Sequence, residues 1–157
     1  MTDSKAFRRS LGKFATGVTV VTCTDQDGHP CGITANSFSS VSLDPPLILW
    51  NIAKVSNSLR AYLDAGHFAI NVLSADQREV STHFARTDHT LFDSVKFTLS
   101  PDGVPLLPGT IATFECRTHT IHDCGDHYII IGEVHGFHVE DGDPLLFYSG
   151  GYRNIGD

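Results

Sequence analysis

Hydrophobic residues along the chain fall mostly in short runs, rich in β-branched side chains and separated by turn residues. The runs are TGVTVVTC, PLILWNI, HFAINVL, TIATFECRTHTI and HYIIIGEVHGFHV. Such runs predict β-strands, and the turn pair Asp27-Gly28 before a strand that begins near Pro30 predicts an antiparallel hairpin. The later runs lie too close together for the crossover helices that parallel strands need. We therefore expect a mainly β protein, a closed antiparallel barrel with a few peripheral helices, and not a doubly wound parallel sheet.

Three segments have the spacing of amphipathic helices instead. SKAFRRSLGKFATG predicts the first, with Ser4 as its cap and Gly17 as its end. SNSLRAYLDAG predicts the second, ended by Gly66. SADQREVSTHFAR predicts the third, because Ser74 and Gln77 fit a capping box. These helices interrupt the strands without forming a repeated βαβ pattern.

Length and composition indicate one globular domain over residues 1–157. The chain has 157 residues, 41% hydrophobic and 18% charged, which is enough to bury a core without disulfides or metals. The formal net charge of −7 and the absence of a basic cluster beyond Arg8-Arg9 argue against a nucleic-acid or anionic-membrane partner. The longest apolar runs are too short to cross a bilayer and no leader is recognised, so we expect a cytoplasmic protein.

Sulfur and imidazole groups do not form a convincing metal motif. The four cysteines include no CxxC pair and lie in strand-like contexts, which predicts buried thiols rather than disulfides. Four potential ligands crowd one segment: His119, His122, Cys124 and His127. On a strand, however, positions 122 and 124 face one side and positions 119 and 127 the other. We therefore expect no metal site.

One polar stretch stands out beside the core, the segment GITANSFSSVSLDPP that precedes the strand PLILWNI. Small side chains, hydroxyls and backbone N–H groups there can cradle a phosphate or the edge of a polar heterocycle. The same residue types also make ordinary polar turns. The chain contains none of the motifs GxGxxG, Walker A, GxSxG or HExxH, so the common nucleotide, acyl-transfer and zinc-protease interpretations have no anchor.

A second polar segment follows the strand PLILWNI directly. Lys54, Ser56 and Ser58 place a cation and two hydroxyls at a predicted helix start, an arrangement suited to phosphate. The alternative is that Ser56 or Ser58 is only a helix cap and Lys54 a solvated end. The residues alone leave both interpretations open.

Several separated motifs, taken in order, resemble those of one family. They are FATGVTVVT, GITANSFSSVSLDPPLILWNIAKVSNSL, HFAINVL, DGVPLLPGTIATFECR, GDHYIIIGEV and DPLLFYSGGYR. From about Phe7 to Arg153 the chain resembles the short-chain flavin reductases, the reductase components of two-component flavin-dependent monooxygenases. The resemblance implies an FMN-binding split β-barrel, a homodimer, that oxidises NADH or NADPH and reduces FMN or FAD.

The resemblance also implies site residues. It places the isoalloxazine ring along Thr34, Ala35, Asn36 and Ser37. It places the ribityl phosphate near Ser39, Ser40, Val41 and Ser42, together with Lys54, Ser56 and Ser58. Gly125-Asp126-His127 resembles the nicotinamide-side signature, with His127 near the pyridine nucleotide and Tyr152 and Arg153 helping to close that site.

The implied chemistry is hydride transfer between two stacked ring systems, for which the protein supplies geometry and hydrogen-bond donors rather than paired carboxylates. The reduced flavin would then pass to a monooxygenase partner. Two alternatives remain on the same barrel. One is a non-catalytic flavin-binding electron-transfer protein, and the other is a reductase of a different acceptor, such as ferric iron or a corrin.

Overall fold

A seven-stranded antiparallel sheet dominates the structure, which is a computed structural model that describes residues 3–86 and 90–156. Its strands run in the order β3-β2-β6-β9-β10-β5-β4. Their bounds are β2 Thr19–Thr24, β3 Pro30–Ala35, β4 Ser39–Leu43, β5 Pro46–Ala53, β6 His67–Val72, β9 Ala112–Cys124 and β10 His127–Val139. Every ladder in this sheet is antiparallel, as the close spacing of the strand runs predicts.

Shorter elements surround this sheet. A three-stranded sheet joins β1 (Thr16–Gly17), β11 (Leu146–Tyr148) and β12 (Gly151–Arg153), and a two-stranded one joins β7 (Thr98–Leu99) and β8 (Pro105–Leu106). The helices are α1 (Ser4–Leu11), α2 (Leu59–Ala65) and α3 (Arg78–Phe84), with a 3₁₀ turn at Ala75–Gln77 before α3. In the described ranges, no helix is both long enough and apolar enough to cross a membrane.

Alternation along the strands sets the core. On β5, Ile48, Trp50 and Ile52 are buried while the side chains between them are partly exposed. The Trp50 ring meets the Tyr62 ring of α2 edge-on, with ring centroids 5.1 Å apart. Tyr62 donates its hydroxyl hydrogen to the Val21 carbonyl at 2.6 Å, so α2 is held against the sheet by packing and by one buried hydrogen bond.

A second cluster of buried residues lies beside the small sheet. Val18, Val20, Leu73, Phe84, Leu91, Leu107 and Leu145 form it. It joins the start of β2, helix α3 and the chain before β11 into one packed layer. The core therefore has two parts, one on each side of β2.

Most predicted elements are confirmed, with one change at the first helix. The hairpin at Asp27-Gly28 pairs β2 with β3, and Ser74 and Gln77 form the predicted capping box. Helix α1 ends at Leu11, not at Gly17, because Thr16 and Gly17 pair with β11 instead. Its cap is Asp3, whose carboxylate accepts the Lys5 N–H at 2.9 Å, so the assignment of Ser4 as cap is wrong.

The expectation of a fully closed barrel is also wrong. Strands β3 and β4 are the two edges of the sheet and do not pair with each other. Between them the chain turns, and the Asn51 N–H donates a hydrogen bond to Ser37 Oγ at 2.9 Å. This contact ties the connecting segment to β5 and leaves β3 and β4 without a common ladder. The fold is an antiparallel split β-barrel with peripheral helices.

Candidate functional site

A cleft of about 900 Å³ opens beside β3. It lies between the β2–β3 turn, β3, the segment Ser56–Ser58, helix α2 and the residues that follow α3. Its volume is within the range of pockets that hold drug-sized ligands and cofactors. Ser56 and Ser58 line it, as do Cys31, Gly32, Arg60 and Phe92.

The two serines present hydroxyls that the helix does not use. Ser58 is the residue before α2, but its side chain makes no capping hydrogen bond. The Ser56 and Ser58 hydroxyl oxygens lie 3.2 Å apart, and the Ser58 N–H donates to Ser56 Oγ at 3.4 Å. The interpretation of Ser58 as a side-chain cap is therefore wrong, and both serines line the cleft.

Lys54 lies at the end of β5 and is already paired. Its ammonium group is 2.5 Å from the Asp123 carboxylate and 5.2 Å from the centre of the Tyr128 ring. The hydrogen bond to Asp123 raises the pKa of Lys54, so the cation stays charged. An incoming phosphate therefore has to compete with Asp123 for this side chain.

His127 is held by the residue before it. Its Nδ1 lies 2.7 Å from Asp126 Oδ1, and the imidazole is about half exposed. The hydrogen bond from His127 lowers the pKa of the Asp126 carboxyl, which is ionised at neutral pH and can only accept. Nδ1 must then carry the hydrogen, and Nε2 lies on the side of the ring that faces away from Asp126.

The strand ladder brings Lys54 and His127 together. His127 begins β10 directly opposite Ala53, and the Lys54 N–H donates to the Asp126 carbonyl at 2.9 Å. The turn that makes this possible contains Gly125 at φ +64°, a conformation that glycine adopts without strain. Four predicted site residues, Lys54, Ser56, Ser58 and His127, therefore share one end of the sheet.

The predicted ring-binding segment is partly used for structure. The Thr34 hydroxyl donates to the Ser81 carbonyl of α3 at 2.6 Å, and the Ala35 carbonyl accepts the Thr19 hydroxyl at 2.7 Å. Asn36 is exposed at the turn, and Ser37 accepts the Asn51 N–H. Thr34 and Ala35 thus connect β3 to its neighbours, while Asn36 and Ser37 lie where the barrel is split.

Ser39, Ser40, Val41 and Ser42 lie on the edge strand β4 and not in a loop. Ser40 is opposite Ile48 and Ser42 opposite Leu47, which leaves Val41 as the extra residue of a bulge. Leu47 and Lys54 are at opposite ends of β5, about 23 Å apart at a strand rise of ~3.3 Å per residue. Within one chain, a single phosphate cannot contact both Ser42 and Lys54.

Tyr152 and Arg153 belong to the small sheet. The Tyr152 hydroxyl lies 2.6 Å from Ser81 Oγ, and the Arg78 guanidinium lies over its ring at 5.5 Å. Arg153 is exposed and donates to the Tyr152 carbonyl at 3.3 Å. In the described part of the chain no hydrogen bond or ion pair joins either residue to His127. Tyr152 instead meets Thr34 through their common partner Ser81.

The sequence interpretation missed the partners of these residues. Asp123 and Tyr128 flank the GDH motif and contact Lys54, a pairing across 69 positions that no local pattern reveals. Gly32 lies in the cleft, where an added Cβ would be 2.7 Å from the Phe84 ring and 3.2 Å from the Phe92 ring. A glycine inside a strand run is a sequence signal of such a close approach.

Comparisons with known proteins agree with this geometry. Residues 11–156 match the family described as "Flavin reductase like domain". An FMN reductase (NADH), SmoA, of Agrobacterium fabrum is 53% identical over 150 residues, covering 96% of this chain and 85% of the relative. The reductase component of a flavin-dependent trigonelline monooxygenase of Acinetobacter baylyi is 45% identical, over 94% of this chain but only 48% of its own length.

A solved structure is similar over its whole barrel. The NADH:FAD oxidoreductase SgcE6 of Streptomyces globisporus, in complex with NAD and FAD fragments, superimposes with a TM-score of 0.91 at 39% identity. The match covers 96% of this chain and 92% of that one. With a family match that spans nearly all of its residues, this chain belongs to the flavin reductase like domain family.

Proposed function

We propose that this chain is an NAD(P)H:flavin oxidoreductase that transfers hydride from NADH or NADPH to FMN or FAD and supplies the reduced flavin to a separate monooxygenase. The observation that carries the proposal is the match to reductases along nearly the whole chain. The matched residues include Ser56 and Ser58 before α2 and His127 at the start of β10. The family match over residues 11–156 also supports a single domain.

The residues present fit a flavin nucleotide. The cleft offers the hydroxyls of Ser56 and Ser58, with the Lys54 cation on the neighbouring strand end. Asp25, Asp27, Asp64 and Asp93 also line it and would repel a phosphate, so the phosphate would be held at the serine end.

A buried acceptor lies near the predicted ring-binding segment. Asn51 Oδ1 is buried and has no hydrogen-bond partner among the described residues, and the Asn51 N–H is bound by Ser37. A buried acceptor without a partner costs stability, which a donor on a bound ligand would relieve. This oxygen therefore fits the N–H edge of a flavin ring.

We assign His127 to positioning the nicotinamide. Because ionised Asp126 accepts from Nδ1–H, the second ring nitrogen, Nε2, is left for a ligand. The amide N–H of a nicotinamide carboxamide is a suitable donor to that nitrogen. Asp126 then acts through His127 by fixing the ring orientation.

The bound flavin supplies the hydride acceptor and the reduced nicotinamide supplies the hydride, so the chain needs no acid–base pair of its own. The role of the protein is to hold the flavin and nicotinamide rings at reacting distance and in one productive relative orientation. The groups assigned to the two rings are the Asn51 amide oxygen and the His127 imidazole, which can orient a ring without acting as an acid–base pair. That Tyr152 and Arg153 help to close the nicotinamide site stays a prediction.

Stopped-flow absorbance with each nicotinamide and each flavin tests the proposal. We expect rapid oxidation of NADH or NADPH that requires added FMN or FAD. A protein that oxidises neither nucleotide with either flavin would refute the activity. A purified protein that stays yellow but ignores both nucleotides would instead support the electron-transfer alternative.

The residue assignment has its own test. We expect His127→Ala to raise the KM for the nicotinamide at least tenfold with little change in flavin binding. The matched control is His138→Ala, since His138 also lies on β10, is exposed and pairs with a nearby carboxylate, Glu140, at 2.6 Å. Equal KM values in His127→Ala and His138→Ala would remove His127 from the site.

We further propose that the protein is a cytoplasmic homodimer. Large apolar side chains are exposed on α1 and β4, including Phe7 at 56%, Leu11 at 59% and Leu43 at 96% exposure, which a second copy would cover. All four cysteines are free, which suits a reducing compartment. Light scattering coupled to gel filtration tests the dimer, and a monomer at micromolar concentration would contradict it.

A further inference from the structure

Three metal-ligating side chains from distant parts of the sequence come together, and none of them lines the cleft described above. His67 begins β6, Asp102 lies in the turn between β7 and β8, and His135 lies on β10. One ligand atom of each residue lies within 4.8 Å of the other two. Each side chain is 37–41% exposed, so the group is open to ions from solvent.

The separations match coordination better than hydrogen bonding. His135 Nε2 is 3.3 Å from Asp102 Oδ2, and His67 Nε2 is 3.9 Å from Asp102 Oδ1. A hydrogen bond between such atoms would be about 2.7–3.2 Å long. Ligand atoms about 2.1 Å from a tetrahedral zinc ion are separated by ~3.4 Å, close to the distance from His135 Nε2 to Asp102 Oδ2, while His67 Nε2 is measured to the other oxygen, Oδ1.

A bulge in β10 aims one of the ligands. Val134 pairs with Cys116 and Gly136 pairs with Glu115, so His135 is the extra residue without a partner on β9. A bulge redirects the side chain of its extra residue out of the regular alternation. The His135 ring meets the His67 ring edge-on at 6.2 Å with an interplanar angle of 80°, and both histidines direct Nε2 at the same carboxylate.

The surrounding charges favour a cation. Arg117 lies opposite His67 on β9, but its guanidinium is 3.4 Å from Glu133, which balances its charge. Asp102 has no Lys or Arg partner within residues 3–86 and 90–156. A bound divalent ion would therefore meet one carboxylate that no Lys or Arg neutralises, together with two imidazole nitrogens.

A second acidic group in the structure lacks these properties. Asp25 lies near Asp27 and His29, but its Oδ1 already accepts the backbone N–H groups of both, each at 2.9 Å. Those hydrogen bonds form the turn of the β2–β3 hairpin. This group is explained by local structure, whereas the group of His67, Asp102 and His135 is not.

We propose that His67, Asp102 and His135 form a binding site for a divalent transition-metal ion of the zinc class, with water completing its coordination. Two imidazoles and one carboxylate suit Zn²⁺ and, at similar geometry, Ni²⁺ or Cu²⁺. A bound ion would fasten the β7–β8 turn to β6 and β10. This site neither requires nor contributes to the flavin chemistry.

Calorimetric titration of the full, untagged chain with zinc chloride tests the site. We expect one ion per chain for the wild-type protein and at least tenfold weaker binding in both Asp102→Asn and His135→Ala. The control is His138→Ala, which removes another exposed imidazole from the same strand and should bind as the wild type does. Unchanged affinity in either site variant, or loss of binding in the control alone, would overturn the proposal.

Thermal melts give a second measurement that needs no variant. Zinc at a hundredfold excess over its Kd should raise the Tm of the wild-type protein by about 5–10 °C, and should leave the Asp102→Asn variant unchanged. Asp102 lies in an exposed turn, and the far-UV circular dichroism spectrum of the variant, compared with that of the wild type, verifies that it folds. An equal rise in both proteins, or none in the wild type, would refute the site without bearing on the reductase activity.

Discussion

Asn71 is a fully buried polar residue near the end of β6, and its side chain links three parts of the core. Nδ2 donates to the Val20 carbonyl at 2.9 Å and to Thr22 Oγ1 at 3.0 Å. Oδ1 accepts the Leu107 N–H at 3.1 Å. We predict that Asn71→Leu, which keeps a similar volume, destabilises the protein because these hydrogen bonds are lost inside the core.

The magnitude follows from what each partner loses. Leu107 is 5% exposed, so its N–H is left buried without an acceptor, at a cost of about 1–3 kcal/mol. The loss of the two bonds from Nδ2 adds about 1–2 kcal/mol, and the added apolar contact of leucine offsets about 1 kcal/mol. The expected loss in the free energy of unfolding is about 1–4 kcal/mol. For a chain of this size the Tm should fall by about 2–16 °C.

Urea denaturation followed by circular dichroism measures this loss through the midpoint at unchanged m-value. The control is Asn36→Leu, the same chemical change at an exposed position, which should alter the free energy of unfolding by less than about 0.5 kcal/mol. If Asn71→Leu is as stable as the wild type, the three hydrogen bonds do not support the core and the reasoning fails.

Two further predictions concern packing and protonation. Gly132→Ala would place a Cβ 2.5 Å from Phe68 Cζ, so we expect the free energy of unfolding measured in urea to fall by about 1–3 kcal/mol. Adding Phe68→Leu should restore part of this loss. An unchanged urea midpoint in Gly132→Ala would contradict the contact. The hydrogen bond from His127 holds the pKa of the Asp126 carboxyl below its ordinary 3.8, so the stabilisation is present above pH 3.8 and is lost as the pH falls through the lower folded-state pKa. NMR titration should show this midpoint rising towards 3.8 in His127→Ala, and an unshifted midpoint would exclude the pairing.

Local patterns were sufficient for much of the fold. The apolar run in PLILWNI predicts β5, because such a run bounded by turn residues is typical of a strand. Asp27-Gly28 predicts the first hairpin and Gly66 the end of α2, where it adopts φ +76°. These features depend on a few neighbouring residues, so a sequence can reveal them.

Features that depend on pairing across the chain were not predictable in this way. SSVSL contains enough serine to predict a polar loop, yet it forms the edge strand β4 because β5 offers a free ladder beside it. The prediction of a closed barrel was wrong for the same reason, because local sequence does not show which strands lie unpaired at the edges of the sheet. Helix α1 was predicted too long because the pairing of Thr16 and Gly17 with β11 outweighs helical spacing.

The sequence by itself determined the strand-rich class, the hairpin turns, two of the helix boundaries and, through its ordered motifs, the reductase family. Only the tertiary structure decided which side chains meet. It joined Lys54 to Asp123 and Thr34 to Ser81, and it assembled His67, Asp102 and His135 around a bulge. The physical reason is that local patterns fix backbone conformation and exposure, whereas contacts between distant residues depend on strand order and register, which only the folded sheet sets.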